Sequence, residues 1–126
     1  MEKKMYREIN HTADVAYEIE ANSFLEILND ILNILKENYL PSINCKNPKF
    51  HKYKIRENED AIFDTVNDWI ASIELGYFPV ELDKDYVVKF CSFEHLDGTG
   101  FKALTYHNLK LERDKNKLKL KVVFDI

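Results

Sequence analysis

The residues best equipped for chemistry stand near the two ends of the sequence. Close to the start, Asn10-His11-Thr12-Ala13-Asp14 is a polar turn that brings His11 and Asp14 to one tight connection. At the far end, Asp125 directly precedes Ile126, so two acidic groups, a side chain and a main-chain carboxylate, share one point. Lys102 and His107, the latter beside Tyr106, lie between. Taken singly these residues are not specific. Asp14 reads as a turn aspartate, and His107 shares a strand face with Thr105 and Leu109, which makes a core or edge histidine the default. Lys102 faces away from His107 if the strand is regular. No Gly-x-Ser-x-Gly elbow or other nucleophile arrangement accompanies them, so no residue is assigned a catalytic role.

The elements that must position these groups can be read from periodicity. Leu118, Leu120, Val122 and Phe124 alternate with Lys119, Lys121 and Asp125, the pattern of a half-buried strand that persists almost to Ile126. Such an end is expected to be docked and not frayed. The turn Arg113 to Lys117 joins it to a strand over Phe101 to Glu112, giving an antiparallel hairpin. Upstream, Met5 to Ile9 and Val15 to Glu20 read as strands. Ser23 with Glu26 forms a capping box opening a helix whose apolar stripe includes Leu25, Leu28, Ile31, Leu32 and Leu35. Pro41 ends that helix and Ser42 to Lys49 reads as loop, followed by a strand over Phe50 to Arg56. Asn58 caps a second helix with Ile62, Val66, Trp69, Ile70 and Ile73 inward, and Gly76 closes it. Strands over Phe78 to Leu82 and Tyr86 to Phe93 complete an α+β domain spanning residues 1–126, with a largely antiparallel sheet and the helices on one side.

Composition narrows the function classes. A net charge of −4 argues against a protein that binds nucleic acid chiefly through its phosphates. One local exception is the run from 110 to 121, where Lys110, Arg113, Lys115, Lys117, Lys119 and Lys121 outnumber Glu112 and Asp114. Such a run is ordinarily a solvated hairpin, and an RNA or acidic-partner contact is its alternative. With three glycines there is no phosphate-cradling loop, so no nucleotide is expected to bind this chain alone. Cys45 and Cys91 are far apart and form no CxxC pair. They call for neither zinc nor a disulfide, and read as one loop and one strand cysteine. No apolar run is long enough to cross a bilayer and the start lacks a signal-peptide core, so a soluble cytoplasmic protein without membrane contact is expected.

Four motifs occur together in order: His11-Thr12-Ala13-Asp14, Asp68-Trp69-Ile70, Lys102-Ala103-Leu104-Thr105-Tyr106-His107, and Val122-Val123-Phe124-Asp125-Ile126. Their order and spacing resemble the archease family over nearly the whole chain. The resemblance implies an α+β fold of strand-helix-strand-strand modules. It also implies an accessory, non-enzymatic role in tRNA splicing and RNA repair. The partner would be the GTP-dependent RtcB-type RNA ligase, whose guanylylation and turnover such proteins assist, with RNA touched only indirectly. By the same resemblance Asp14, Asp125 and the carboxylate of Ile126 bind a divalent cation, calcium first, with magnesium or manganese as alternatives. Hard cations take oxygen ligands, and carboxylates that meet without one repel each other. Lys102 matches a lysine associated with activity, and His11 and His107 match motif positions in a supporting role. A small-molecule-binding or protein-docking module of the same fold is the alternative, and an enzyme working through His107, Lys102 and the metal is a third reading.

Overall fold

The computed structural model describes residues 5–9 and 14–126, in which two helices and eight strands form an α+β domain. Strands β1 (Tyr6–Ile9), β2 (Asp14–Ala21), β6 (Ala103–Leu104), β7 (Leu111–Asp114) and β8 (Lys117–Asp125) make a five-stranded sheet. Strands β3 (Pro41–Lys52), β5 (Val87–Leu96) and β4 (Tyr77–Leu82) make a second sheet, in that order. All pairings are antiparallel. The strands thus divide between two sheets where one was expected. Helix α1 (Phe24–Tyr39) packs on β2 and β4, and helix α2 (Glu59–Glu74) packs on β4 and β6, so each helix bridges the sheets.

Strand β8 is the organising element. It pairs with β2 along its whole length on one side, and with β7 and then β6 on the other. Leu118, Leu120, Val122 and Phe124 are all buried, as their alternation demands. The turn into β8 is tighter than the sequence suggested: Asp114 pairs with Lys117, leaving two turn residues with Lys115 at φ 56°.

Helix starts follow the sequence closely. Ser23 Oγ accepts from the Glu26 amide at 3.2 Å while Glu26 Oε2 reaches back to the Asn22 amide at 2.7 Å. Asn58 Oδ1 accepts from the Ala61 amide at 2.9 Å. The end of α1 is handled by tertiary structure. Amides of Asp97, Gly98 and Gly100 donate to the carbonyls of Leu40, Tyr39 and Asn38 at 3.1, 2.9 and 3.0 Å, satisfying groups that a helix end leaves without partners. A Cβ on Gly98 would lie 2.0 Å from the Asn38 carbonyl oxygen, so the contact requires glycine.

Two expectations fail. Ser42 to Lys49 is not a loop: β3 starts at Pro41 and runs to Lys52 as an irregular edge strand against β5. Its polar residues gave no alternating signal because the strand is mostly exposed. This pairing also overturns the assignment of two unbridged cysteines. After the Asn44–Ser92 pair, Cys45 falls beside Cys91, and the two form a disulfide with Cα atoms 4.8 Å apart.

Candidate functional site

One corner of the five-stranded sheet gathers three of the chemically capable residues. Asp14 opens β2, Asp125 closes β8, and the two are direct partners in the register. Opposed residues of an antiparallel pair carry Cβ atoms roughly 4.5–5.5 Å apart on one face. Like charges so placed repel, which a cation would relieve. Ile126 follows and is 58% exposed. The donor set is all oxygen, suited to a hard divalent cation. Among the described residues no group of three or more His, Cys, Asp or Glu side chains forms a metal cluster; the corner supplies two carboxylate side chains.

Lys102 reaches this corner through its backbone. Its amide donates to the Asp125 carbonyl at 2.8 Å, and the next residue, Ala103, pairs with Asp125. Several contacts hold that segment. Phe101 stacks on Phe124 with ring centroids 4.1 Å apart, and the buried Tyr39 hydroxyl donates to the Phe101 carbonyl at 2.7 Å. Burial raises the Tyr39 pKa above its ordinary value, keeping that donor protonated. On the other side Asn67 of α2 acts as a substitute strand: its Nδ2 donates to the Leu104 carbonyl at 3.1 Å and its Oδ1 accepts from the Leu104 amide at 2.8 Å. Sequence reading passed over Asn67. The available signal was a poor helix former inside an otherwise regular amphipathic helix, beside the Asp68-Trp69-Ile70 motif.

His107 is placed differently from expectation. The strand foreseen over Phe101 to Glu112 breaks after Leu104, because Asn108 adopts φ 58° in a turn before β7 begins. His107 is therefore an exposed turn residue and shares no strand face with Thr105 and Leu109. No described hydrogen bond or ion pair joins it to Lys102 or Asp125. Its neighbour Tyr106 anchors the turn on α2, bonding Asp60 and packing on Phe63 at 5.0 Å. His11, with the rest of the turn at 10–13, lies outside the described residues.

Three of the six basic residues in the run from 110 to 121 have acidic partners. Lys117 pairs with Glu20 at 3.0 Å, Lys119 with Asp114 at 3.7 Å and Lys110 with Glu112 at 4.0 Å. These support the reading of a solvated hairpin. A groove of about 770 Å³ on this face is lined by charged residues such as Arg7, Glu18, Lys119 and Lys121, and Arg7 bonds Glu18 at 2.7 Å. Tyr6, Ile19 and Leu120 line it as well, so its wall is part charged and part apolar.

Comparison with known proteins places this arrangement in context. The model of the Archease protein family matches residues 6–126. The chain is 46% identical over 124 residues to Protein archease of Thermotoga maritima, covering 96% of this chain and 99% of that protein. It is 24% identical over 143 residues to Protein archease of Methanopyrus kandleri, covering 96% and 99%. The crystal structure of a Thermotoga maritima archease, described as a possible chaperone, superposes with a TM-score of 0.84 at 46% identity, covering 95% of this chain and 96% of that one. A solution structure from Methanobacterium thermoautotrophicum shares the fold, with a TM-score of 0.69 at 15% identity over 98% and 100% of the two chains.

Proposed function

The chain belongs to the archease family, and from that premise we propose that it is a metal-binding accessory protein of an RtcB-type RNA ligase in tRNA splicing and RNA repair, acting in the cytoplasm without itself joining RNA. The observation that carries the reading is the register pairing of Asp14 with Asp125, which brings motifs from opposite ends of the sequence to one corner beside Lys102. Asp14, Asp125 and the Ile126 carboxylate would hold a divalent cation, calcium first and magnesium or manganese otherwise. When bound, the cation offers the ligase a positive, oxygen-seeking centre at the protein surface.

The chain's own residues supply the rest of the surface. Lys102 is exposed and fixed through its backbone to Asp125, and would bring a flexible ammonium to the same edge of the sheet. Asn67, Tyr39 and Phe124 hold the segment that carries it, so the corner has a rigid frame. Whatever docks there meets adjacent groups of opposite sign, which favours a defined orientation over affinity alone. Among the described residues no helix is long and apolar enough to cross a membrane.

A turnover assay of the cognate ligase, using RNA bearing a 3′-phosphate and a 5′-hydroxyl, tests the reading. The protein should stimulate multiple turnover, and Lys102→Ala and Asp125→Ala should each remove most of the stimulation while unfolding stays cooperative. Absence of stimulation by stoichiometric wild-type protein with metal present, using a ligase competent in a single turnover, would reject it.

A further inference from the structure

A continuous basic stretch without counter-ions among the described residues is the edge strand β3 and its continuation. Between residues 46 and 56 the sequence holds Lys46, Lys49, Lys52, Lys54 and Arg56 and no acidic residue. Among the described residues no carboxylate lies within ion-pairing distance of any of the five, in contrast to the paired lysines of the β7–β8 hairpin. Residues 45–52 are all exposed, and beyond the end of β3 burial alternates over 53–56. Tyr53 and Ile55 turn inward, Tyr53 bonding Asp68 at 2.5 Å, while Phe50, Lys52, Lys54 and Arg56 are exposed. The outward set recurs every second residue, about 6.6 Å per step along an extended chain. Phe50 heads this column with 64% of its surface exposed, and it faces Lys89 across the β3–β5 register, with Glu81 beyond.

We infer that this strip is a docking site for single-stranded RNA. A column of cations at regular spacing follows a phosphate backbone, and an exposed aromatic at its head offers a face on which an unpaired base can stack. An acidic peptide would use the cations but has no need of Phe50. Because β3 is an edge strand, its outer backbone N–H and C=O groups are available to a 2′-hydroxyl, which favours RNA over DNA. The net charge of −4 does not oppose this, since it suppresses indiscriminate phosphate binding and leaves one local positive strip. The inference concerns RNA contact by the protein alone, so it stands or falls separately from the ligase partnership.

Fluorescence anisotropy with a labelled, unstructured RNA of about 12 nucleotides reads the interaction directly. The matched single-stranded DNA, the duplex RNA and polyglutamate serve as comparison arms. Binding at about 50 mM salt should weaken with a log–log salt slope of roughly −2 to −3, the value for three or four phosphates on a single strand. Phe50→Ala should weaken binding roughly tenfold with the slope unchanged, since stacking does not release counter-ions. The double variant Lys52→Gln/Lys54→Gln should weaken it and reduce the slope by about 1.4. The hairpin variant Lys115→Gln/Lys117→Gln should bind as the wild type does. All these side chains are exposed, and a melting curve of each variant confirms that the fold is retained. Absence of RNA binding at about 100 µM protein, or an unaffected Phe50→Ala variant, overturns the inference. So does equal binding of the DNA, the duplex or polyglutamate, the last of which would assign the strip to an acidic protein.

Discussion

Asp14 and Asp125 stand directly opposite each other across the β2–β8 pair, although 110 residues separate them in sequence. Two carboxylates at opposed positions cost stability when nothing lies between them. The fold nevertheless fixes both, because β8 is held by β2 on one side and by β6 and β7 on the other. The register thus places both carboxylate-bearing residues at one corner, where the proposed cation would sit.

Calcium should therefore raise the melting temperature of the wild type, by mass action on the folded state alone. Asp125→Asn should abolish that rise, since it removes one of the two carboxylate side chains of the proposed site. Extending the chain beyond Ile126 should weaken cation binding more than an extension before Met1, because an amide replaces the terminal carboxylate. Calorimetric titration of the three proteins checks this; equal affinities would remove Ile126 from the site.

Asn67 ties α2 to the Lys102 segment with two hydrogen bonds to Leu104, so its loss should act at a distance. Asn67→Ala should cost about 2–3 kcal/mol, two bonds at about 1 kcal/mol each with some penalty for the orphaned backbone groups. It should also lower ligase stimulation at temperatures where the variant is still folded. A purely structural residue would change the denaturant midpoint and leave the stimulation per folded molecule unaltered.

What the sequence made legible was whatever repeats. Both helices, their caps at Ser23 and Asn58, and the alternation of β8 could be read because each is a local pattern with a local cause. The exposed edge strand β3 has no buried face to impose alternation over Ser42 to Lys49, so it read as loop, and the Cys45–Cys91 bridge was missed with it. The break at Asn108 was hidden because Phe101 to Glu112 contains no glycine or proline to announce a turn. At the site, Asp14, Lys102 and Asp125 were named from motifs, and their meeting follows from the β2–β8–β6 register. Asn67 and Tyr39 were not named, since their role is tertiary. The unneutralised basic strip of β3 was overlooked in favour of a hairpin whose acidic partners, Glu20 among them, lie partly on another strand.

Tyrosines should govern the alkaline limit of stability. Burial, then a bond to Asp68, raises the Tyr53 pKa; burial, then a bond to Glu37, raises that of Tyr6; burial raises Tyr17 and Tyr39; the bond to Asp60 raises Tyr106. A group whose folded pKa lies above its unfolded value stabilises fully below the unfolded value, near 10 for tyrosine, and loses that contribution as pH rises through the folded one. Denaturant midpoints should accordingly hold steady from neutral pH to about 9.5 and then fall. Tyrosinate absorbance should appear together with loss of helical circular dichroism. A full tyrosinate signal near pH 10 in a still-folded protein would contradict the assignment.

The disulfide gives a prediction of opposite character, in which chemistry should matter for stability and not for the site. Cys45 and Cys91 are 46 residues apart, and closing a loop of that length removes entropy from the unfolded chain worth about 4 kcal/mol in the loop-closure model. Reduction, or Cys91→Ser, should therefore lower the unfolding free energy by about 2–4 kcal/mol. The native β3–β5 ladder does not depend on the bridge, since pairs on both sides of it, Asn44–Ser92 and Lys49–Phe90, are made by the backbone. The reduced protein should then remain folded, as a cytoplasmic setting would require, where thiols are ordinarily kept reduced. Asp14 and Asp125 belong to the other sheet and Lys102 adjoins its strand β6, so cation binding should be equal in the oxidised and reduced proteins. Denaturant melts with and without reductant, paired with calcium titrations of both forms, separate the two effects. A loss of cation affinity on reduction would show that the sheets are coupled through the helices that bridge them, and that the corner is less independent than its register suggests.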